Sequence, residues 1–232
     1  VDEADVLALS QTLEAVWAAE TDALGYPMPL TAVWYKLNVY VGDSGDGAPD
    51  SGGSAGYYWY DDQTYPMLVL STLTIQDHEY AQAVAAHEFF HGVQAAFATY
   101  AFSETDFWYW EATATWITSQ VFPGNPHYAS LLFGQAFAPA RSINGYYYGS
   151  GGVLEFQPYG AFLFATWLTE VVDADLVRQS WDEAVWAADP IVVLDQLLEE
   201  HGWTAESAFF DFARRNAAWD YLDGEIYAAS IA

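Results

Sequence analysis

A chain of 232 residues with 53% apolar and 18% aromatic side chains has enough hydrophobic material for a sizeable core, and with no cysteine it builds that core without disulfides. Its 32 acidic residues against 5 basic ones give a formal net charge of -27, which repels nucleic-acid phosphates and anionic membranes and excludes both as partners. No stretch reaches the roughly 18 consecutive apolar residues of a membrane span, and Val1 opens on an acidic segment without the cationic start of a signal peptide.

The expected elements begin with an amphipathic helix over residues 5–24, where Val6, Leu9, Leu13, Val16 and Trp17 recur at helical spacing before Gly25 and Pro27. From Ala32 to Val41 apolar and polar positions alternate among β-branched and aromatic residues, predicting a strand. A Gly, Ser and Asp-rich loop fills 42–56, and two further strands follow at Tyr57–Tyr60 and Met67–Leu73, joined through Asp61-Asp62. After Glu79 the period turns helical. Tyr80–Tyr100 is rich in alanine and aromatics with Gly92 its one weak point, and further helices are expected over 111–121, 159–172 and 175–187. Asp189-Pro190 is a cap followed by proline at the first helical position, opening a helix to about residue 200, and Thr204 caps another to about residue 218. Between the helices expected over 111–121 and 159–172, 144–157 is a Gly and Tyr-rich loop. The expected fold is α+β: a small N-terminal mixed sheet with an active-site helix, then a mostly α-helical C-terminal half. It forms one domain over 1–232, sheet-bearing in 1–79 and helical in 80–232, with no internal repeat.

Within the helix near residue 90 the chain reads His87-Glu88-Phe89-Phe90-His91. Two histidines four residues apart lie on one helix face and reach a common metal ion, while Glu88, turned by about 100 degrees, stands beside that ion where it accepts a proton from water. A catalytic zinc site takes three protein ligands and keeps a fourth position for water, so a third ligand is needed. Glu111 follows His91 by 20 residues and opens Glu111-Ala112-Thr113-Ala114-Thr115-Trp116, a segment expected to pack beside the first helix.

This pairing of His-Glu-x-x-His with a downstream Glu-x-x-Ala helix resembles the gluzincin group of metallopeptidases, which includes the thermolysin-like enzymes and related secreted bacterial metalloproteases. The resemblance covers residues 80–120 closely and the remainder only as an order of elements, sheet first and helices after. It implies a zincin-like fold and a zinc ion bound by His87, His91 and Glu111. It also implies Glu88 as the general base in peptide-bond hydrolysis. Thr115 stands where thermolysin-like enzymes place an aspartate that supports the first histidine, leaving Asp77, Asp106 or a backbone carbonyl to substitute. A metzincin site is excluded, since its glycine and third histidine would fall at Gln94 and Phe97. Asp106 offers an alternative third ligand, although a helix positions a ligand more reliably than the loop 103–106. The strand Pro66-Met67-Leu68-Val69-Leu70 lacks the acid with which gluzincin aminopeptidases bind a substrate amine. This favours an endopeptidase, with 67–72 expected to form the edge that pairs with an extended substrate.

For the donor that stabilises the oxyanion, Tyr159 is the first candidate, with Tyr146, Tyr147, Tyr148 and His127 left open. His78 and His201 read as structural, and Phe107-Trp108-Tyr109-Trp110 as core or as pocket lining. The acidic loop around Asp43, Asp46 and Asp50 has oxygen ligands that could take Ca2+, without the full twelve-residue calcium pattern. The partner expected is a peptide or protein substrate with apolar or basic side chains, met by a monomer. A charge of this size is tolerated where salt screens it, pointing to a secreted, extracellular protein of a saline setting. Two rival readings are a catalytically inactive zincin-fold binding protein and a zinc hydrolase acting on non-peptide amides or esters.

Overall fold

The computed structural model describes residues 1–32 and 34–232, and the chain is α+β, with a small three-stranded mixed sheet and a mostly helical C-terminal half. It forms two compact units, 1–97 with 117–127, and 98–116 with 128–232. The change from sheet-bearing to helical sequence at 79/80 lies inside the first unit.

In the first unit α1 (Glu3–Trp17) starts at Asp2, whose carboxylate accepts from the Ala4 N–H at 3.0 Å. Its buried face presents Leu9 and Val16, and the Trp17 ring meets the edge of Phe89 at 5.7 Å. A π-helical turn, Ala18–Ala23, continues it and carries Glu20 into the core. Glu20 is 0% exposed, and neither of its carboxylate oxygens has a hydrogen-bond partner among the described residues. Burial pushes its pKa well above the usual carboxylate range. The protonated form is therefore favoured by folding, a contribution present below the unfolded pKa and lost as pH rises through the raised folded value. Glu20→Leu is expected to stabilise the protein by about 2 kcal/mol at neutral pH and by less in acid, read by denaturant titration at both pH values. An equal effect at the two values would contradict this.

The sheet order is β1-β3-β2: β1 (Asn38–Gly42) runs parallel to β3 (Pro66–Ser71), and β2 (Gly56–Tyr60) pairs antiparallel with it. Two expectations are corrected. Strand β1 begins six residues later than alternation implied. Thr31 adopts φ 69° and its carbonyl accepts from the N–H groups of Trp34 and Tyr35, so a turn takes the backbone groups a strand would need. Val33, part of that expected strand, lies outside the described residues. The segment 67–72, expected as an edge, falls through residue 71 in the central strand, flanked by β1 and β2, with Leu68, Val69 and Leu70 all fully buried. An unbroken apolar run is the pattern of a strand covered on both faces, and its main-chain groups are consumed on both sides. The strand ends at Ser71, whose hydroxyl accepts from the Thr74 N–H and opens the short α2 (Thr72–Gln76).

Helix α3 (His78–Phe97) lies against the sheet with Ala85, Ala86, Phe90 and Val93 fully buried. Its Gly92 is the point where Pro29 and Tyr58 approach: an added Cβ would stand 3.1 Å from Pro29 Cβ and 3.3 Å from Tyr58 Cε2. The Gly92 carbonyl also accepts from the Leu30 N–H at 3.0 Å. Helix α4 (Phe107–Val121) reaches α3 through Thr118, whose hydroxyl donates to the Ala83 carbonyl at 3.3 Å. Asn125 then donates to the Glu79 carbonyl at 2.8 Å, pinning the chain after α4 to the start of α3.

The second unit contains α5 (Phe133–Ala136), α6 (Gln157–Gly160), α7 (Phe162–Trp167), α8 (Leu176–Asp182), α9 (Pro190–Glu200), α10 (Ala205–Asn216) and α11 (Gly224–Ser230). Caps at Asp189 and Thr204 start α9 and α10 as expected, Thr204 forming a reciprocal box with Ser207. The helix expected over 159–172 is interrupted at Ala161, beside Gly160, where an added Cβ would stand 2.6 Å from the Gln135 backbone nitrogen, and it ends in a π-helical turn, Leu168–Val172. The helix expected to residue 187 stops at Asp182. Phe107–Trp110 is core: Tyr109 stacks on Trp181 at 5.7 Å, and Tyr100 donates to the Ser180 carbonyl at 2.7 Å.

Candidate metal centre

Three side chains chosen from sequence come together. One ligand atom each from His87, His91 and Glu111 lies within 4.8 Å of the other two, and among the described residues this is the group of histidine and acidic side chains arranged to hold a metal ion. Adjacent corners of a tetrahedron with arms near 2.1 Å are roughly 3.4 Å apart. Two imidazoles with one carboxylate form a donor set of the kind that holds a transition-metal ion such as zinc. The site fits a metal ion of this type.

Each ligand is placed by its helix. The four-residue spacing on α3 brings the two rings to 4.8 Å between centroids at an interplanar angle of 88°. Glu111 lies one turn into α4 rather than at its start, since Phe107 to Trp110 already form that turn and are buried with it. The residue is buried, as is Glu88 on α3. Gly56 of β2 fits against this part of α3. An added Cβ there would stand 2.8 Å from Val84 Cγ1, 2.9 Å from the Val69 carbonyl oxygen and 3.4 Å from Glu88 Cγ, so only glycine lets the strand come so close.

The sequence reading missed the residue that orients a ligand. Gln94, fully buried, places Oε1 2.6 Å from His91 Nδ1. An amide oxygen only accepts, so in this pairing Nδ1 carries the proton, which leaves Nε2 with the lone pair a metal ion would need. The signal was its place three residues along the same helix face, a position read from sequence only for lacking the metzincin glycine. The other supports considered serve elsewhere: Asp77 accepts from the Tyr80 N–H at 3.1 Å, and Asp106 accepts from the Thr105 hydroxyl at 2.8 Å. If the site holds a metal ion, Gln94→Leu is expected to weaken its binding roughly 10- to 100-fold, measured by competition with a chromophoric chelator. Unchanged affinity would remove Gln94 from this role.

Other candidates occupy varied places. Tyr159 is half-buried on α6 with its ring 6.3 Å from that of Phe156. Tyr146 and Tyr148 are exposed beside Phe107, and Tyr147 donates to the Ser142 carbonyl. His127 packs its ring on Tyr80 at 5.2 Å and approaches Glu79 at 4.0 Å. Two histidines do structural work: His78 bonds Asp5 at 3.0 Å, and His201 Nδ1 bonds the Leu197 carbonyl at 2.8 Å at the end of α9. The acidic loop 43–50 is held by its own backbone contacts. Asp43 accepts from the Ser51 N–H and Asp50 from the Gly52 N–H, and among the described residues the loop carboxylates form no metal-holding group.

No helix among the described residues is long and apolar enough to cross a membrane. No curated protein and no solved structure matches the chain. A family model matches residues 1–231, and the chain therefore belongs to DUF6055, a family of unknown function.

Proposed function

We propose that this protein is a zinc-dependent peptide hydrolase of the zincin type, acting as an endopeptidase. The reading is carried by one observation: His87, His91 and Glu111 bring ligand atoms within 4.8 Å of one another, while Glu88 sits in the same His-Glu-x-x-His turn.

A zinc ion supplies Lewis acidity and brings the pKa of a water close to neutrality when bound. Glu88 takes the proton from the attacking water and returns it to the departing amine, so its carboxylate is regenerated in each cycle. Gln94 holds the His91 ring with Nε2 free. Tyr159 is the candidate second donor to the oxyanion. With β3 paired on both sides, the substrate edge moves to β2, whose outer side is unpaired among the described residues and whose Gly56 lies against Glu88. An extended peptide adding to β2 would lay its main chain along this part of α3, which suits cleavage within a chain.

A monomer with net charge -27 fits an extracellular, saline setting, in which salt screens its self-repulsion. The test is digestion of casein, inhibited by a chelator and restored by added zinc. Zinc-loaded protein that leaves casein intact counts against the proposal.

A further inference from the structure

The second unit holds a cavity of 730 Å³ that the hydrolase reading does not use. Its walls are mostly apolar, formed in part by Leu163, Ile191, Phe212 and Trp219, with neutral polar groups from Gln135, Ser142, Asn144 and Asn216, and among the described residues its one charged lining residue is Arg141. In a chain with 32 acidic residues, the absence of any aspartate or glutamate from this lining is a marked local reversal.

Arg141 differs from the other arginines in its partners. Arg178 pairs with Asp175 and Asp182, Arg214 with Asp211, and Arg215 with Asp211 and Asp220. Arg141 has no carboxylate partner among the described residues, although acidic groups outnumber basic ones more than sixfold. Its guanidinium at the exposed side of an acid-free apolar cavity offers a planar fork matched to a carboxylate, with neutral Ser142 and Asn144 beside it. The volume falls in the usual range for a small-molecule site.

We propose that this cavity binds a medium-chain fatty carboxylate, the alkyl chain buried among the apolar walls and the carboxylate held by Arg141. A neutral lipid would leave Arg141 unused. A cationic amphiphile would meet it as a like charge. The protein's overall charge repels any anion at long range, so the local attraction shows best in high salt, where the distant field is screened more than the contact pair.

The test is calorimetric titration of the whole protein in high salt, below the micelle concentration, with dodecanoate, dodecanol and dodecyltrimethylammonium. Dodecanoate is expected to bind roughly fivefold more tightly than dodecanol, a value reduced from that of a buried charged hydrogen bond because Arg141 is exposed. Arg141→Gln erases that difference while leaving dodecanol binding intact. Ala213→Trp, at an exposed lining position of α10, obstructs the cavity and weakens both ligands. Absence of dodecanoate binding, tighter binding of the cationic probe, or a carboxylate preference that survives Arg141→Gln overturns the proposal. None of these readouts depends on the metal centre.

Discussion

Glu88→Gln is expected to lower peptide hydrolysis about a thousandfold while leaving zinc content and stability close to wild type. Glutamine fills nearly the same volume in the buried position and keeps an oxygen acceptor, but it cannot take up the proton that the attacking water must lose. The residue is no metal ligand in this arrangement, because the group of converging ligand atoms consists of His87, His91 and Glu111. Loss of turnover with zinc retained therefore separates proton transfer from metal binding. Initial rates of casein cleavage alongside metal analysis of both proteins make the comparison, and equal rates would falsify the general-base role.

Glu111→Gln is expected to act on the other half of the chemistry and lower zinc affinity by more than about 100-fold, exceeding the effect of changing a residue that merely orients a ligand. The substitution preserves the packing of α4 but removes the negative charge that balances the ion in a buried place. The effect is visible without any substrate. Zinc that binds the folded state raises its stability by about 2.7 kcal/mol at a hundred times its Kd. Wild-type protein should show a zinc-dependent rise in melting temperature reversed by a chelator, and Glu111→Gln should show almost none at the same concentration. A full rise in the variant would place the third ligand elsewhere. Activity is expected to fall in both variants, so the metal readout distinguishes them: Glu88→Gln is expected to keep the ion and Glu111→Gln to lose it.

The legible parts of the molecule are those whose physics is local. Two histidines four apart must share a helix face, and α3 presents them together with the rings 4.8 Å apart. Caps act within three residues, which is why Asp189 and Thr204 mark the starts of α9 and α10 correctly. Glu111 required the further assumption that two helices pack side by side.

What could not be read depends on partners distant in sequence. Leu68, Val69 and Leu70 announce a buried strand, but which strands flank it is decided by β1 and β2, and with that goes the choice of substrate edge. The need for glycine at residue 160 comes from the backbone of Leu131 and Gln135, at least 25 residues earlier. Gln94 looks like any helical glutamine until burial shows that its amide must be satisfied inside the protein, where His91 provides the partner. Helix α11 was missed because Tyr221 to Ala232 is too short for a helical period to stand out against its turns.

The most direct test is anomalous diffraction at the zinc edge from crystals grown with zinc. The account predicts one strong peak bonded at about 2.0–2.2 Å to a ring nitrogen of each of His87 and His91 and to a Glu111 carboxylate oxygen, with Nε2 as the His91 ligand. A peak that omits Glu111, or zinc bound only among surface carboxylates, would contradict it.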